Sequence, residues 1–213
     1  EAKGQRAEAE VLFRRALAIL EREYGSEHPR TGVTVDNLAG VLREKGQVDE
    51  AIDMHRRALD ICEAAHGADH PNTGITVGNL AGALMDKGEL EEAEALFQRA
   101  LTIFDTALGA SHRRTIYGHG NIGHVHMLRG GAGYEKGRTT VQKALATLQA
   151  PPLSMPDDYP WIQKLKRYLG EDQGDAAADG GIEELHPAPQ RQASVNGHLM
   201  VRSNSIGPDS DEV

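Results

Sequence analysis

The sequence predicts an all-α protein in which helical hairpins stack into a right-handed solenoid. Three observations lead to this fold class. The chain of 213 residues repeats itself with a period of about 42, apolar residues within each period fall at helical spacing, and only 4% of the residues are aromatic. A solenoid needs little aromatic bulk, because small aliphatic side chains fill the thin layers between neighbouring helices.

The period is visible in residues of several types. A basic residue followed by glycine recurs at Lys3-Gly4, Lys45-Gly46, Lys87-Gly88 and Arg129-Gly130. The same step of about 42 relates glycines, histidines, threonines and asparagines, at Gly25, Gly67 and Gly109; His28, His70 and His112; Thr31, Thr73 and Thr115; and Asn37, Asn79 and Asn121. A period of this length accommodates two helices and two turns.

Each repeat contains two amphipathic helices. Between residues 35 and 42 the apolar side chains follow i, i+3, i+4, i+7, and a second stripe runs from 51 to 62. Gly46 follows the first helix, where a left-handed residue is favoured, and Pro71 stands where the next helix begins. A single hairpin cannot bury its apolar face, so we expect neighbouring hairpins to stack.

The chain divides into three predicted parts. Residues 1–150 form the repeat array, with a partial first hairpin and repeats near 29–66, 71–108 and 113–150. Residues 151–170 form a capping segment, in which a short helix follows Tyr159 and runs to Leu169. Residues 171–213 carry nine acidic and two basic residues, and we expect this tail to be disordered.

Composition excludes several classes of function. The formal net charge is −9, whereas nucleic-acid and anionic-membrane surfaces need clustered lysine and arginine. We therefore expect no nucleic-acid partner and no membrane insertion, since no apolar run approaches the roughly 18 residues of a membrane span. The single cysteine, Cys62, cannot form an internal disulfide, which is typical of a reducing, cytoplasmic compartment.

The repeat resembles the tetratricopeptide repeat, and its longer form is similar to that of kinesin light chains. The resemblance is carried by Asn37-Leu38-Ala39, Gly46, Glu50-Ala51, Arg57-Ala58-Leu59 and Gly67-Ala68-Asp69-His70-Pro71-Asn72-Thr73, with counterparts at Asn79-Leu80-Ala81, Gly88, Glu92-Ala93 and Arg99-Ala100-Leu101. It covers residues 4 to 149 and implies a non-enzymatic scaffold, most simply a cargo adaptor. Kinesin heavy chain or a cargo protein would be the partner, and association with the cytoskeleton would follow.

The resemblance implies that the first helix of each hairpin lines a concave, peptide-binding groove. One side of these helices varies from repeat to repeat, and variation of this kind suits a binding surface. The candidate groove residues are Val33, Asp36, Arg43, Ile75, Met85, Tyr117 and His124. The family's groove-facing asparagine is replaced here by Asp36, Gly78 and Gly120. For Asn37, Asn79 and Asn121 we expect a structural role between repeats, because a buried amide must be hydrogen-bonded.

Motifs for enzyme chemistry are weak. Gly118 to Gly123 reads GxGxxG, but no strand precedes it and it aligns with the interior of a helix, so a nucleotide site is disfavoured. His119, His124 and His126 have spacings of five and two, whereas helical zinc ligands are usually four apart. We expect no catalytic residue, no metal and no cofactor.

The tail offers two further signals. Ser194 and Ser205 each lie three residues after an arginine, and are candidate phosphorylation sites. Val213 could end a segment that adds as a strand to a PDZ-type groove. An alternative function remains open, in which the repeats are the sensor of a larger signalling protein, nephrocystin-like, with an ATPase or protease effector; a nucleotide-binding motif before Glu1 would favour it, and heptads would favour motor pairing.

Overall fold

The computed structural model describes residues 2–171, and within that range it contains eight helices and no strand. The helices are α1 (Ala2–Tyr24), α2 (Pro29–Glu44), α3 (Val48–His66), α4 (Pro71–Lys87), α5 (Leu90–Leu108), α6 (Arg113–Arg129), α7 (Gly133–Gln149) and α8 (Pro160–Leu169). Helices that are adjacent in sequence pack on each other throughout. The predicted all-α helical-hairpin solenoid is confirmed.

Histidine begins the first helix of each hairpin. His28, His70 and His112 are the N-cap residues of α2, α4 and α6, and each accepts a hydrogen bond at Nδ1 from the backbone N–H two residues later, at 3.1 to 3.2 Å. A cap of this kind satisfies a backbone donor that has no partner within the helix. The predicted helix start at Pro71 is confirmed.

Glycine ends the same helices where the sequence predicts. Gly46 follows α2 with φ of +80°, and Gly88 follows α4 with φ of +88°. Both values lie in the left-handed region, which side chains with a Cβ avoid. The chain can therefore reverse within three or four residues and start the second helix of the hairpin.

The core follows the solenoid as three consecutive apolar clusters. The first joins α1, α2 and α3, the second joins α3 to α6, and the third joins α4 to α8. Aliphatic residues dominate the first cluster, whereas the third contains Tyr117 and Trp161. The few aromatic residues are thus concentrated at one end of the array.

In the third hairpin, α6 and α7 pack closely through glycine. A Cβ at Gly123 would lie 2.8 Å from the carbonyl oxygen of Gly137, a distance that real Cβ atoms do not reach. Gly137 in turn faces the backbone of α6. This approach requires glycine on both helices.

The predicted disordered tail lies outside the described residues. The same holds for the signals that the sequence analysis found within it, which are Ser194, Ser205 and Val213. The fold that positions a candidate site is therefore the array of α1 to α8.

Candidate functional site

A row of polar contacts runs along the first helices of the hairpins. Arg43 of α2 donates from Nε to Oδ2 of Asp86 in α4 at 2.5 Å, so it joins consecutive repeats. Its guanidinium covers Gly82, where a Cβ would lie 2.8 Å from Nη1. Burial alone would lower the pKa of Arg43, but the hydrogen bond and charge of Asp86 outweigh it, with smaller contributions from Tyr168 and Tyr117, and the pKa is raised. Arg43 therefore stays cationic.

The row continues on α6 and α8 through aromatic stacking. The rings of His124 and Tyr168 are parallel, with their centroids 3.6 Å apart. The Tyr168 hydroxyl also donates to Oδ1 of Asn121 at 3.4 Å. We call Arg43, Asp86, His124 and Tyr168 the inner row. It combines a cation, an anion, an imidazole and a phenol, which are groups that hydrogen-bond peptide backbones and side chains.

Helix α8 covers part of the face of α6 that the sequence assigns to a groove. Tyr117 stacks on Trp161 with centroids 4.8 Å apart and ring planes inclined by 15°. Leu165 lies so close to Gly120 that a Cβ there would approach its Cδ2 to 2.5 Å. The side chains of Trp161 and Leu165 are almost completely buried as a result. This part of the face is occupied by the chain itself.

A buried polar triad lies between the second and third hairpins. Asp36 and His55 are 4% and 2% exposed, and Oδ1 of Asp36 is 2.7 Å from Nδ1 of His55. The other carboxylate oxygen accepts a hydrogen bond from Nδ2 of Asn79 at 2.9 Å. Three helices, α2, α3 and α4, are thereby connected by one carboxylate.

The structure distributes the seven predicted groove residues between surface and interior. Val33 is half exposed, and Arg43 and His124 are partly buried members of the inner row, whereas the buried ones are Asp36, Ile75, Met85 and Tyr117. This differs from the expectation of one open face, because the face also contacts the following hairpin, through Asn79 at Asp36 and through Trp161 at Tyr117. As candidates for direct ligand contact, Val33, Arg43 and His124 remain.

The three repeated asparagines all lie on first helices. Asn79 bonds the carboxylate of Asp36 in the preceding hairpin, and Asn121 accepts from Tyr168. Asn37 is half-buried on α2. The contacts of Asn79 and Asn121 are of the kind expected for this position, since each joins its helix to another part of the array.

The motifs that could suggest enzyme chemistry are absorbed by packing. Gly118 to Gly123 lies inside α6, and its glycines allow close contact with Leu101, Leu165 and α7 rather than forming a loop. His126 Nε2 lies 2.9 Å from Oε1 of Glu94. Among the described residues no group of three or more His, Cys, Asp or Glu side chains could hold a metal ion.

Sequence reasoning missed Asp86 and Tyr168 as members of the inner row. Asp86 looks like an ordinary charged residue near a helix end, and only its spacing of 43 from Arg43 could have suggested a bridge between repeats. Tyr168 lies beyond the repeats, so no register relates it to α6. No helix in the described part of the chain is long and apolar enough to span a membrane.

Comparisons with known proteins place this geometry in a family. Residues 2–30 and 33–101 match models described as tetratricopeptide repeat. No curated protein matches the chain. Among solved structures, a Podosopora anserina protein described as a candidate kinesin light chain with nearly identical TPR-like repeats is 22% identical with a TM-score of 0.60, over 79% of this chain and 77% of that chain. BtubC (BKLC) from P. vanneervenii is 21% identical with a TM-score of 0.62, over 93% and 83%.

Stacked two-helix units with an inner row define a helical repeat protein. The chain is a tetratricopeptide-repeat protein whose fold is of the kinesin light chain-like type. This repeat fold is generally a non-enzymatic scaffold for protein interaction.

Proposed function

We propose that the chain binds an extended peptide segment of a partner protein along the inner row. The observation that carries this proposal is the Arg43–Asp86 contact, which brings opposite charges on consecutive first helices to the surface. The exposed fractions of the two side chains are 16% and 38%, so each has atoms within reach of a ligand. A preformed surface of this kind avoids much of the ordering cost of binding.

The row favours a ligand of mixed character. Arg43 would donate to a carboxylate or a carbonyl oxygen, Asp86 would accept hydrogen bonds from backbone N–H groups, and the half-exposed Val33 offers an apolar contact. The stacked pair of His124 and Tyr168 closes the row at α8. The ligand would therefore run from α2 towards α8 and stop there.

Within this general role we propose a kinesin light chain-like cargo adaptor in the cytoplasm, with a cargo protein as the peptide's source. The similarity of repeat sequence and fold supports this reading. A regulatory array of a larger signalling protein would use the same surface. The two are distinguished by incubating the chain with purified kinesin heavy chain and with microtubules: co-sedimentation that depends on the motor supports the adaptor, and none under either condition favours the regulatory array.

The peptide-binding proposal is tested with a displayed library of random twelve-residue peptides, of order 10⁹ members, selected against the whole chain. Enriched peptides are then titrated by calorimetry against three proteins: wild type, Arg43→Gln with Asp86→Asn, and Arg56→Gln with Glu92→Gln. Arg56 and Glu92 form the matched control, because they pair between α3 and α5, the second helices of consecutive hairpins.

We expect the inner-row variant to bind at least about tenfold more weakly, the loss expected when one charge-assisted contact of about 1.4 kcal/mol is removed. The control variant should bind as the wild type does. Equal affinity for all three proteins would place the peptide elsewhere and would contradict the proposal.

A further inference from the structure

Two adjacent arginines at the start of α6 lack the partners that arginines have elsewhere in the array. Arg113 and Arg114 take the positions that Pro71 and Asn72 occupy in α4. In the described part of the chain neither forms an ion pair, and Nη1 of Arg114 is buried without a hydrogen-bond partner. A buried guanidinium donor without an acceptor is costly, so it indicates that an acceptor belongs there.

The surroundings of the pair are aromatic. The Cζ atom of Arg113 lies 5.9 Å from the ring centroid of Trp161, and that of Arg114 lies 6.0 Å from the centroid of Phe104. Tyr159 meets Trp161 edge to face at 5.7 Å. These rings hold the guanidinium groups in place through their faces and leave the N–H edges for a ligand.

The local electrostatics have not been neutralised. Burial lowers the pKa of Arg114 to about 10, with a further contribution from the charge of Arg113. The phenol of Tyr159 acts in the opposite direction with a smaller effect. The first turn of α6 also presents the positive end of the helix dipole. An anion between the two guanidinium groups would remove this repulsion.

The matched position in α2 shows what a satisfied arginine looks like. Arg30 occupies the position of Arg114 two repeats earlier. It lies over the ring of Tyr24 at 5.4 Å and donates from Nη1 to the hydroxyl of Tyr24 at 3.1 Å. Arg30 thus has both the aromatic face and the acceptor, whereas Arg114 has the aromatic face and no acceptor at Nη1.

We propose that Arg113 and Arg114 form an oxyanion-binding site, and that its occupant is a side-chain carboxylate of the chain's own segment 172–213. The segment carries eight acidic residues against two arginines. It is attached through α8, whose first turn contributes Trp161 to the site. A random-coil segment of this length has a root-mean-square reach of about 35 Å, more than the roughly 15 Å length of α8.

Covalent attachment makes this occupant favourable. A connection of this length gives an effective concentration on the order of millimolar, which suffices for a two-arginine carboxylate contact that is weak between separate molecules. Docking would bring the acidic segment over the end of α6 and α8, beside the inner row. This inference does not depend on a peptide ligand for the inner row.

The test uses the full chain labelled with ¹⁵N. Amide shifts of residues 172–213 are compared with those of a free peptide of the same sequence, at about 20 mM and about 300 mM salt, because screening weakens exposed charge contacts. The variants are Arg113→Gln with Arg114→Gln, and the control Arg30→Gln. We expect wild type and control to show deviations from the free peptide near the acidic residues, reduced at least about threefold at high salt, and the double variant to show none.

Three results would overturn the proposal. The wild-type segment could match the free peptide, which would leave Arg114 held by its ring contact alone. The deviations could persist in the double variant, which would place the segment elsewhere. They could grow with protein concentration, which would make a second copy the source of the carboxylate. A circular dichroism spectrum unchanged in the double variant establishes that it is folded.

Discussion

The buried contact between Asp36 and His55 is expected to stabilise the array only as a pair. The following hairpin has Gly78 and Phe97 at the equivalent positions, so the fold accepts an apolar arrangement there. We therefore consider His55→Phe and Asp36→Ala, singly and together. Alanine keeps the Cβ that Asp36 already places in this space and is the best helix former.

The single change His55→Phe leaves the carboxylate of Asp36 buried with Asn79 as its remaining partner. Breaking a buried charge pair by removing one partner costs about 3 to 5 kcal/mol, and we expect a loss in that range. Asp36→Ala leaves the imidazole of His55 without its acceptor, at a cost of about 1 to 3 kcal/mol. Both figures are large against the 5 to 15 kcal/mol of roughly typical domain stability.

The double variant removes both polar groups at once. It gains an apolar contact and loses one acceptor of Asn79, worth about 1 kcal/mol. We expect it to be within about 2 kcal/mol of the wild type, because apolar replacement of a buried pair is often neutral. The sum of the single losses should therefore exceed the double loss by about 2 kcal/mol or more.

The assay is equilibrium unfolding in urea, followed by circular dichroism at 222 nm. A repeat array can unfold in stages, so fluorescence of Trp161 is recorded in parallel as a probe of the far end. The pair acts locally, and the circular dichroism midpoint should respond more than the fluorescence midpoint. If His55→Phe unfolds at the wild-type urea concentration, or if the double variant is less stable than either single variant, the reasoning is refuted.

Three further predictions follow from single contacts. Burial, together with Arg113 and Arg114, lowers the pKa of His112, so its stabilising contribution is present above its unfolded pKa of about 6.5 and is lost as the pH falls below it; His112→Asn should reduce the loss of melting temperature between pH 7.5 and 5.5. Gly137→Ala, which forces a Cβ against the backbone of α6, should destabilise by about 1 to 3 kcal/mol in urea, and Gly133→Ala, with 3.4 Å to its nearest atom, much less. Leu165→Ala should cost about 2 to 5 kcal/mol locally and release α8, seen as a red shift of Trp161 emission with the rest of the array intact.

The fold could be predicted because each signal was local or periodic. A histidine before a helix, a glycine after it and an apolar spacing of three and four residues each depend on neighbours in sequence. The 42-residue repeat then multiplied these signals, so that the hairpins followed from His28, Gly46 and their counterparts. Stacking required no further information, since a hairpin has an apolar face to bury.

The candidate surface was harder to predict because variation between repeats has two causes. A position can vary to suit a ligand, or it can vary together with the residue that packs on it. Asp36 is accompanied by His55, and Gly78 is accompanied 19 residues later by Phe97, which is the same spacing. The sequence therefore recorded compensation inside the interface, and the variation was interpreted as ligand recognition.

The position of α8 was beyond the reach of the repeat pattern. Its residues have no counterpart in an earlier repeat, so their register against α6 could not be read from any spacing. Only the aromatic pairing of Tyr117 with Trp161 could have indicated contact, and aromatic residues pair in many places. The helix nevertheless decides how much of the inner surface is accessible, because it covers the last part of it.

The interfaces between successive hairpins are built in two different ways, and this bears on where a partner can act. Between the second helices, Arg57 pairs with Glu21 and Arg99 pairs with Glu63, each 36 residues apart. The next pair in this series would join Asp105 to residue 141, which is valine and is buried. Exposed ion pairs contribute only about 0 to 1 kcal/mol each, so the early interfaces can adjust at little cost. The last interface relies on aromatic stacking and close glycine contacts, which tolerate little displacement. A ligand on the inner row would therefore meet an adaptable surface at α2 and α4 and a rigid one at α6 and α8, so we expect the first to adjust to the ligand and the second to set where it ends.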